Sequence, residues 1–183
     1  VYSDMDICSS FSSSSSDLDQ IVENTLWSMK GNFLDVPTDC PTRERAGWTG
    51  DAQLFFNAGC YFMDFSAFFR KWLRDLYDDQ AENGMIYNIV PRCGMHGGQN
   101  AHVEGSAGWT DAGILIPYRY WNHYFDRDLL ESRYEGMKRL MDFLLSRRGV
   151  PGDPNLDQKL PPSEYRKYMI TGGFHFGEWT EPD

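Results

Sequence analysis

The sequence predicts an all-α fold, an α/α toroid made of helical hairpins, and three observations support this. Apolar residues recur at spacings of three and four over most of the 183 residues, which is the period of an amphipathic helix. Only Met85 to Val90 suggests a strand. The connections between the predicted helices are alternately short and long, as expected when each hairpin buries one face on the next. No repeat of fixed period is visible, which disfavours TPR and HEAT arrays.

The first predicted helix follows a serine-rich connector. Residues 1–16 form this connector, and Asp17 is predicted to cap the helix behind it. Apolar side chains then follow helical spacing from Leu18 to Met29, and Gly31 is predicted to end the helix. We therefore divide the chain into a connector and an α-helical domain over 17–183.

Two further helical pairs are predicted. The first pair comprises a helix from Ala52 to about Met63 and a helix whose apolar positions run from Phe65 to Leu76 and which Asn83 and Gly84 end. The second comprises a helix that Thr110 or Asp111 caps, bent near Pro117, and a helix that opens at Asp128 and ends at Gly149. The buried face of this last helix is predicted to contain Leu130, Tyr134, Met137, Met141 and Leu144. A short helix is expected near 163–169.

Composition limits the possible partners. The 27 acidic residues outnumber the 17 basic ones, giving a formal net charge of −10. We therefore expect neither nucleic acid nor a membrane surface as a partner, and no apolar stretch approaches the roughly 20 residues that span a bilayer. The four cysteines form no C-x-x-C pair and predict buried thiols. No signal peptide is visible, and the acidic balance with unpaired cysteines favours the bacterial cytoplasm over the periplasm or secretion, without deciding it.

The loop over 32–51 carries the residues best suited to chemistry. It holds the carboxylates Asp39, Glu44 and Asp51, which repel one another unless arginine side chains or a ligand offset their charge. A carboxyl whose pKa is raised in such a site can donate a proton, as glycosidic cleavage requires. The structural alternative is equally open from these residues alone: Asp51 caps a helix, Glu44 pairs with an arginine at the surface, and Asp39 stabilises a turn.

The segment from Asp39 to Ala52, DCPTRERAGWTGDA, resembles the signature of bacterial α-L-rhamnosidases of glycoside hydrolase family 78. Ordered flanking segments resemble the same family, so that the resemblance extends from about Phe11 to Trp179. These segments are Asn32-Phe33, Phe68 to Leu76, Asp78 to Gln80, Ala107 to Ala112 and Met137 to Arg139. The resemblance implies a barrel of six helical hairpins, of which this chain would be roughly the first half.

The resemblance also implies roles for individual residues. Glu44 matches the general acid of an inverting mechanism, and Asp39 and Asp51 match carboxylates that hold rhamnose hydroxyls. Arg43 and Trp48 match residues that line the sugar site. The general base would be a glutamate in the later half of the barrel, beyond this chain, and no cofactor is implied. The expected partners are a rhamnose-containing glycoside or oligosaccharide, the remaining half of the barrel and accessory β-domains.

Three further residues are candidates for sugar contact. Trp109 and Asp111 resemble a sugar-contacting segment, although Asp111 is equally suited to capping a helix. Trp179 follows Glu178, where the family has aspartate, and remains a possible stacking residue. The spacing of His96, His102 and Glu104 matches no known metal site, so no metal is expected.

Two alternative functions stay open at this point. One is another glycosidase on the same toroid, such as an unsaturated uronyl hydrolase or a trehalase-like enzyme, against which the segment from Asp39 to Asp51 argues. The other is a non-catalytic carbohydrate-binding protein that has kept the aromatic loops.

Overall fold

The computed structural model of the chain describes residues 2–92, 105–150 and 164–170. Within these ranges the regular secondary structure is helical. Five α-helices follow one another: α1 (Ser16–Asn32), α2 (Thr49–Phe62), α3 (Ser66–Asp78), α4 (Ala112–Tyr124) and α5 (Arg127–Arg147). A 3₁₀ helix spans Glu164–Tyr168, close to the predicted short helix. Within the described ranges, β-structure is limited to isolated bridges, and no helix is long and apolar enough to cross a membrane.

The helices α2 and α4 run parallel to each other. Near their first turns the ring of Trp109 lies so close to Gly50 that an added Cβ would come within 2.8 Å of it. At the opposite end, the hydroxyl of Tyr124, the last residue of α4, accepts a 2.8 Å hydrogen bond from the amide of Phe65, which follows α2. Each of these helices is the first member of a hairpin, so the two hairpins stack in the same orientation.

The second members of the hairpins, α3 and α5, are parallel as well. Arg70, near the start of α3, is paired with Asp126, just before α5. Tyr77, near the end of α3, packs against Gly136 in the middle of α5. Only residues 63–65 connect α2 to α3 and only residues 125–126 connect α4 to α5, whereas the connections over 33–48 and 79–111 are long. Both long connections lie at the end of the fold where α2 and α4 begin.

An aromatic core holds the hairpins together around α3. This helix buries Phe69 and Trp72 fully, and Phe65, immediately before it, is fully buried as well. Phe69 meets Phe56 of α2 edge to face with ring centroids 4.7 Å apart. Phe33 joins the cluster from the end of α1, 4.7 Å from Phe65. Burying one such ring contributes about 1.5–3 kcal/mol relative to leaving it exposed. The amphipathic pattern predicted for α3 is therefore confirmed. The helix ends at Asp78 and not at Asn83 and Gly84, because the amide of Ala81 donates to the carbonyl of Met85 outside the helix.

Three other predicted helix ends were wrong. Gly31 does not end α1, because the amide of Phe33 still donates to the carbonyl of Met29 and burial of the Phe33 ring favours the extra turn. Asp17 lies inside α1, and Ser15 occupies the N-cap position without a capping side-chain bond. In α5 the cap is Asp126, whose carboxylate accepts a 3.0 Å hydrogen bond from the amide of Leu129.

The predicted buried face of α5 was also wrong in part. The buried residues of α5 are Leu129, Gly136, Leu140 and Phe143, whereas Tyr134 and Met141 are exposed. The reason is Gly136: its lack of a side chain lets the Tyr77 ring approach, and this close contact fixes the rotation of the helix. Met137 and Leu144 lie at the edge of the core.

Two other expectations about burial differ from the structure. Apart from Met29, the side chains of α1 are not fully buried among the described residues, and Leu18 and Ile21 are exposed. Cys8 is exposed, while Cys40 and Cys60 are partly buried, so the prediction of buried thiols was wrong for Cys8.

Replacing Gly136 by alanine should destabilise the fold. A Cβ there would lie 2.4 Å from the nearest Tyr77 ring atom, and such overpacking typically costs about 1–3 kcal/mol. Urea unfolding of the chain, followed by far-UV circular dichroism, would measure the loss. Gly31→Ala is the control, since it meets nothing within 4 Å and should be stabilising by up to about 1 kcal/mol. Equal midpoints for Gly136→Ala and the parent would contradict the packing described.

Candidate functional site

The loop that contains the candidate carboxylates is fastened to the segment 85–90. The amide of Val90 donates to the carbonyl of Gly47 at 2.9 Å, and the amide of Thr49 donates to the carbonyl of Asn88 at 2.8 Å. A Cβ on Gly47 would lie 2.1 Å from the Val90 oxygen, so only glycine fits. The segment 85–90, which suggested a strand, is not one: among the described residues it forms one isolated bridge, between Trp48 and Ile89.

Asn88 links this loop to the second long connection. Its buried side chain accepts a 2.8 Å hydrogen bond from the amide of Ser106 and donates to the Ser106 hydroxyl at 3.2 Å. The side-chain amide of Gln53 donates to the carbonyl of Gly108 at 3.1 Å, and Arg119 of α4 donates to the backbone carbonyl and side chain of Gln53. The two long connections are thus held against each other and against the start of α2.

Glu44 has a hydrogen-bond donor on each of its carboxylate oxygens. The indole Nε1 of Trp48 donates to Oε2 at 2.8 Å, and the guanidinium of Arg43 donates to Oε1 at 2.6 Å. The Glu44 side chain retains 25% of its surface accessible to solvent, while that of Arg43 retains 81%. The carboxyl group is therefore oriented by its neighbours and still accessible.

Asp39 shapes the loop that carries Glu44. Its amide donates to the carbonyl of Ala46 at 3.1 Å, and its Oδ1 accepts from the amide of Ala46 at 3.1 Å. Arg45, within this turn, has φ 55°, a left-handed conformation that few non-glycine residues adopt. One oxygen of Asp39 therefore serves the turn that the structural alternative assigned to it.

Asp51 lies in the first turn of α2, inside the helix that begins at Thr49, so it is not the N-cap. Its side chain reaches solvent, yet protein atoms crowd the carboxyl group and remove part of its hydration. This partial burial raises the pKa of Asp51 above its ordinary value of 3.8, and the nearby charges of Asp39 and Glu44 raise it further, against a backbone hydrogen bond that lowers it. The charges of Asp39 and Glu44 thus act on Asp51, as the spacing of the three carboxylates predicted.

A cavity of about 650 Å³ opens between α1 and α2 beside these groups. Asp39 and Asp51 contribute to its wall, with the amide or hydroxyl side chains of Asn24, Ser28 and Thr38. Thr25 and Asn32 add further polar groups, and the apolar lining residues are Ile21, Met29, Phe33, Pro37, Ala52, Leu54 and Phe55. Among the described residues no lysine or arginine lines it, so the cavity is suited to a neutral ligand with both hydroxyl groups and an apolar face.

The remaining predicted site residues differ in their placement. Trp109 lies on Gly50, next to Asp51 in sequence. Asp111 accepts a 3.1 Å hydrogen bond from the amide of Gly108, and it occupies the N-cap position of α4 without a capping side-chain bond. Trp179 lies outside the described residues, as do His96, His102 and Glu104. Within the described ranges, no group of three or more His, Cys, Asp or Glu side chains is arranged to hold a metal ion.

Sequence reasoning missed Asn88, Gln53 and Arg119, which position the site without belonging to its signature. Asn88 lies in a segment that reads as apolar, so no composition signal marks it. Gln53 and Arg119 lie on helices where polar residues ordinarily face solvent. A polar residue predicted on a buried helix face would have been the only available signal.

Comparison with known proteins gives one family. The model of the bacterial alpha-L-rhamnosidase six-hairpin glycosidase domain matches residues 6–169. Proteins named alpha-L-rhamnosidase are similar in sequence: one from Formosa agariphila is 38% identical over 75% of this chain, and one from Streptomyces avermitilis is 40% identical over 69%. One from Alteromonas sp. is 31% identical over 99%. The chain matches only 14%, 12% and 17% of the lengths of these three relatives, respectively.

Solved structures agree with this family. The Streptomyces avermitilis alpha-L-rhamnosidase complexed with L-rhamnose superposes with a TM-score of 0.75 at 33% identity, over 83% of this chain and 15% of that one. The enzyme from Dictyoglumus thermophilum superposes with a TM-score of 0.71 at 32% identity, over 79% of this chain and 16% of that one. The prediction of an α/α toroid is confirmed, and the described helices form a fragment of it.

Removing the charge of Asp51 should stabilise the fold at neutral pH. A carboxyl whose pKa is raised by folding binds protons more tightly in the folded chain, so stability falls as pH rises from 3.8 through the folded-state pKa. Asp51→Asn should therefore unfold at higher urea concentration than the parent at about pH 7, with the difference vanishing at about pH 3.

Asp128→Asn provides the matched control, because Asp128 lies in the first turn of α5 and is exposed. It loses the favourable helix-dipole interaction without relieving any crowding, so a small destabilisation of about 0.3–1 kcal/mol is expected. If both variants lost stability alike at neutral pH, the desolvation and repulsion at Asp51 would be disproved.

Proposed function

The chain belongs to the bacterial α-L-rhamnosidase six-hairpin glycosidase family, and from this premise we propose that it provides the general acid of an α-L-rhamnosidase. The proposed reaction is hydrolysis of terminal α-L-rhamnosyl residues in glycosides or polysaccharides, with inversion at the anomeric carbon. Residues 17–183 would be part of a larger α/α barrel, which the other hairpins and accessory β-domains complete. No cofactor is proposed.

The observation that carries this proposal is the arrangement of the three carboxylates at one end of the toroid. Asp39 and Glu44 lie close enough to Asp51 for both charges to raise its pKa. Such a cluster is unfavourable for folding, and it favours a ligand with many hydroxyl donors or a positively charged transition state. An oxocarbenium-like transition state has this charge.

Each residue has a proposed role. Glu44 protonates the leaving oxygen, while Asp39 and Asp51 accept hydrogen bonds from sugar hydroxyls with their remaining oxygens. Arg43 and Trp48 line the sugar site beside Glu44. From the second long connection, the ring of Trp109 offers an apolar face. Asp111 is proposed to contact the sugar with the oxygen that Gly108 does not occupy, and Trp179 is proposed as a stacking residue.

The general base is proposed to be a glutamate outside this chain. In inverting enzymes the two carboxyl groups stand roughly 6.5–9.5 Å apart, which leaves room for the attacking water. Glu44 lies in the long connection before the first turn of α2. A group from another hairpin of the toroid can face it there. The isolated chain should then be inactive.

The charge of the cavity favours a rhamnoside over the uronide of the alternative glycosidase. Asp39 and Asp51 line the cavity and, within the described ranges, no lysine or arginine does, so a sugar carboxylate inside the cavity would be repelled. Rhamnose is neutral and has a methyl group at C6, for which apolar residues such as Leu54 and Phe55 are suitable neighbours.

Glu44→Gln in the intact enzyme should lower kcat by several orders of magnitude and leave KM nearly unchanged, because the amide cannot donate the proton but keeps the shape of the side chain. Hydrolysis of an aryl α-L-rhamnoside with a weakly acidic phenol as leaving group would measure this. Glu82→Gln, at an exposed turn behind α3, serves as the control and should behave as the parent. A Glu44→Gln variant with more than about a tenth of parental activity would disprove the assignment.

The first sugar released should be β-L-rhamnose. A single displacement by water inverts the α-configuration, whereas a covalent intermediate would give the α-anomer. Proton NMR during the first turnovers, before mutarotation, distinguishes the two anomeric signals. Binding of L-rhamnose without release from any rhamnoside would instead favour the non-catalytic carbohydrate-binding alternative.

A further inference from the structure

The two oxygens of the Glu44 carboxyl group have neighbours of different mobility. Trp48, which donates to Oε2, is half-buried, and its amide donates to the carbonyl of Ala46 at 2.9 Å. Its own carbonyl accepts the amide of Ala52 at 3.1 Å, within the first turn of α2. Arg43, which donates to Oε1, has a side chain that is 81% exposed. Oε2 is therefore bound by a fixed group and Oε1 by a movable one.

Neither neighbour can accept a proton from Glu44. An indole N–H is a donor only, and a guanidinium has five N–H donors and no acceptor. A protonated carboxyl group has an O–H that requires an acceptor, so it cannot point toward Trp48 or toward Arg43. The carbonyl oxygen of a neutral carboxyl group is a better acceptor than its hydroxyl oxygen. The N–H of Trp48, whose backbone is anchored to the loop and to α2, therefore favours Oε2 as the carbonyl oxygen and Oε1 as the oxygen that carries the proton. Arg43 must then move aside from Oε1.

Moving Arg43 away is inexpensive. An exposed ion pair contributes little to stability, because water competes for both charges. The same movement uncovers Oε1 on the accessible side of the carboxyl group.

We propose that Trp48 is a positioning residue for the general acid: its indole N–H fixes Oε2 of Glu44, so that Oε1 carries the proton that is transferred. This inference rests on the proposed function and adds to it the identity of the reacting oxygen. Trp48 thereby does more than line the sugar site, since its hydrogen bond acts on the carboxyl group that reacts.

The step is balanced as follows. The proton passes from Oε1 of Glu44 to the glycosidic oxygen, the bond from that oxygen to the anomeric carbon breaks with its electron pair going to oxygen, and water bonds to the anomeric carbon. The proton lost by this water goes to the carboxylate base outside the chain. Glu44 becomes a carboxylate, to which the hydrogen bond from Trp48 is stronger than to the neutral acid. The bond therefore stabilises the transition state more than the ground state.

Trp48→Phe tests the proposal in the intact enzyme, because it keeps an aromatic ring and removes the N–H. With an alkyl α-L-rhamnoside, whose leaving group requires protonation, kcat should fall about 10- to 100-fold while KM changes less than about threefold. With 2,4-dinitrophenyl α-L-rhamnoside, whose leaving group needs no proton, kcat should change less than about threefold.

Three results would overturn the proposal. Equal losses of kcat on both substrates would indicate a general structural role, and a raised KM with unchanged kcat would indicate sugar contact alone. Parental kinetics on both substrates would indicate that the hydrogen bond is without effect. Trp121→Phe is the matched control, since Trp121 lies near the far end of α4, and it should leave both substrates unaffected.

Two further measurements keep the outcome interpretable. If Trp48→Phe does not fold, as judged by thermal unfolding, β-(3-benzothienyl)alanine at position 48 keeps the shape of tryptophan without its N–H and is judged by the same criteria. Glu44→Gln must itself lose more kcat on the alkyl rhamnoside than on the 2,4-dinitrophenyl rhamnoside. If it does not, the proposed function fails. If Glu44→Gln shows this difference and Trp48→Phe does not, only the role of Trp48 is overturned.

Discussion

The close approach of Gly47 to Val90 is the constraint on which the rest of the site depends. The amide of Val90 donates to the Gly47 carbonyl, while the Val90 carbonyl accepts a 3.0 Å hydrogen bond from Nε1 of Trp72 in the core. The loop, the segment 85–90 and α3 therefore meet at one residue. Any side chain at position 47 would separate them and move the start of α2, and with it the groups that surround Glu44.

The site combines groups that oppose folding with groups that hold it in place. The charges of Asp39 and Glu44 make ionisation of Asp51 unfavourable, so the loop cannot be stabilised by its carboxylates alone. Its rigidity comes instead from neutral hydrogen bonds to Asn88 and from backbone contacts that exclude side chains. Like charges stay this close together in a folded protein only where other contacts fix the geometry independently. A sugar with several hydroxyl groups would reduce the repulsion between the carboxylates as it binds.

Local spacing predicted the helices well and their ends and rotation poorly. The period of the apolar residues depends only on near neighbours, so α2 and α3 were recognised with small errors. Gly31 was a poor guide because burial of Phe33 against rings of later helices, such as Phe65 and Phe69, outweighs the cost of a glycine in the helix. The rotation of α5 depends on the Tyr77 ring, which lies about sixty positions away in sequence. The signature loop could be found from its letters, but the donors to each oxygen of Glu44 and the supporting role of Asn88 arise from tertiary contacts that no local pattern contains.

The two long connections lie at one end of the hairpins and the short joins at the other, and this asymmetry has an evolutionary consequence. An insertion in a long connection, away from Gly47, Asn88 and Trp109, alters the rim above the toroid and leaves the helix packing in place. One inserted residue between Phe62 and Ser66 would instead displace the core aromatics of α3. Variation in length is therefore tolerated at only one end. Remodelling of that rim can therefore change the surroundings of the carboxylates, while the opposite end keeps its length and preserves the scaffold.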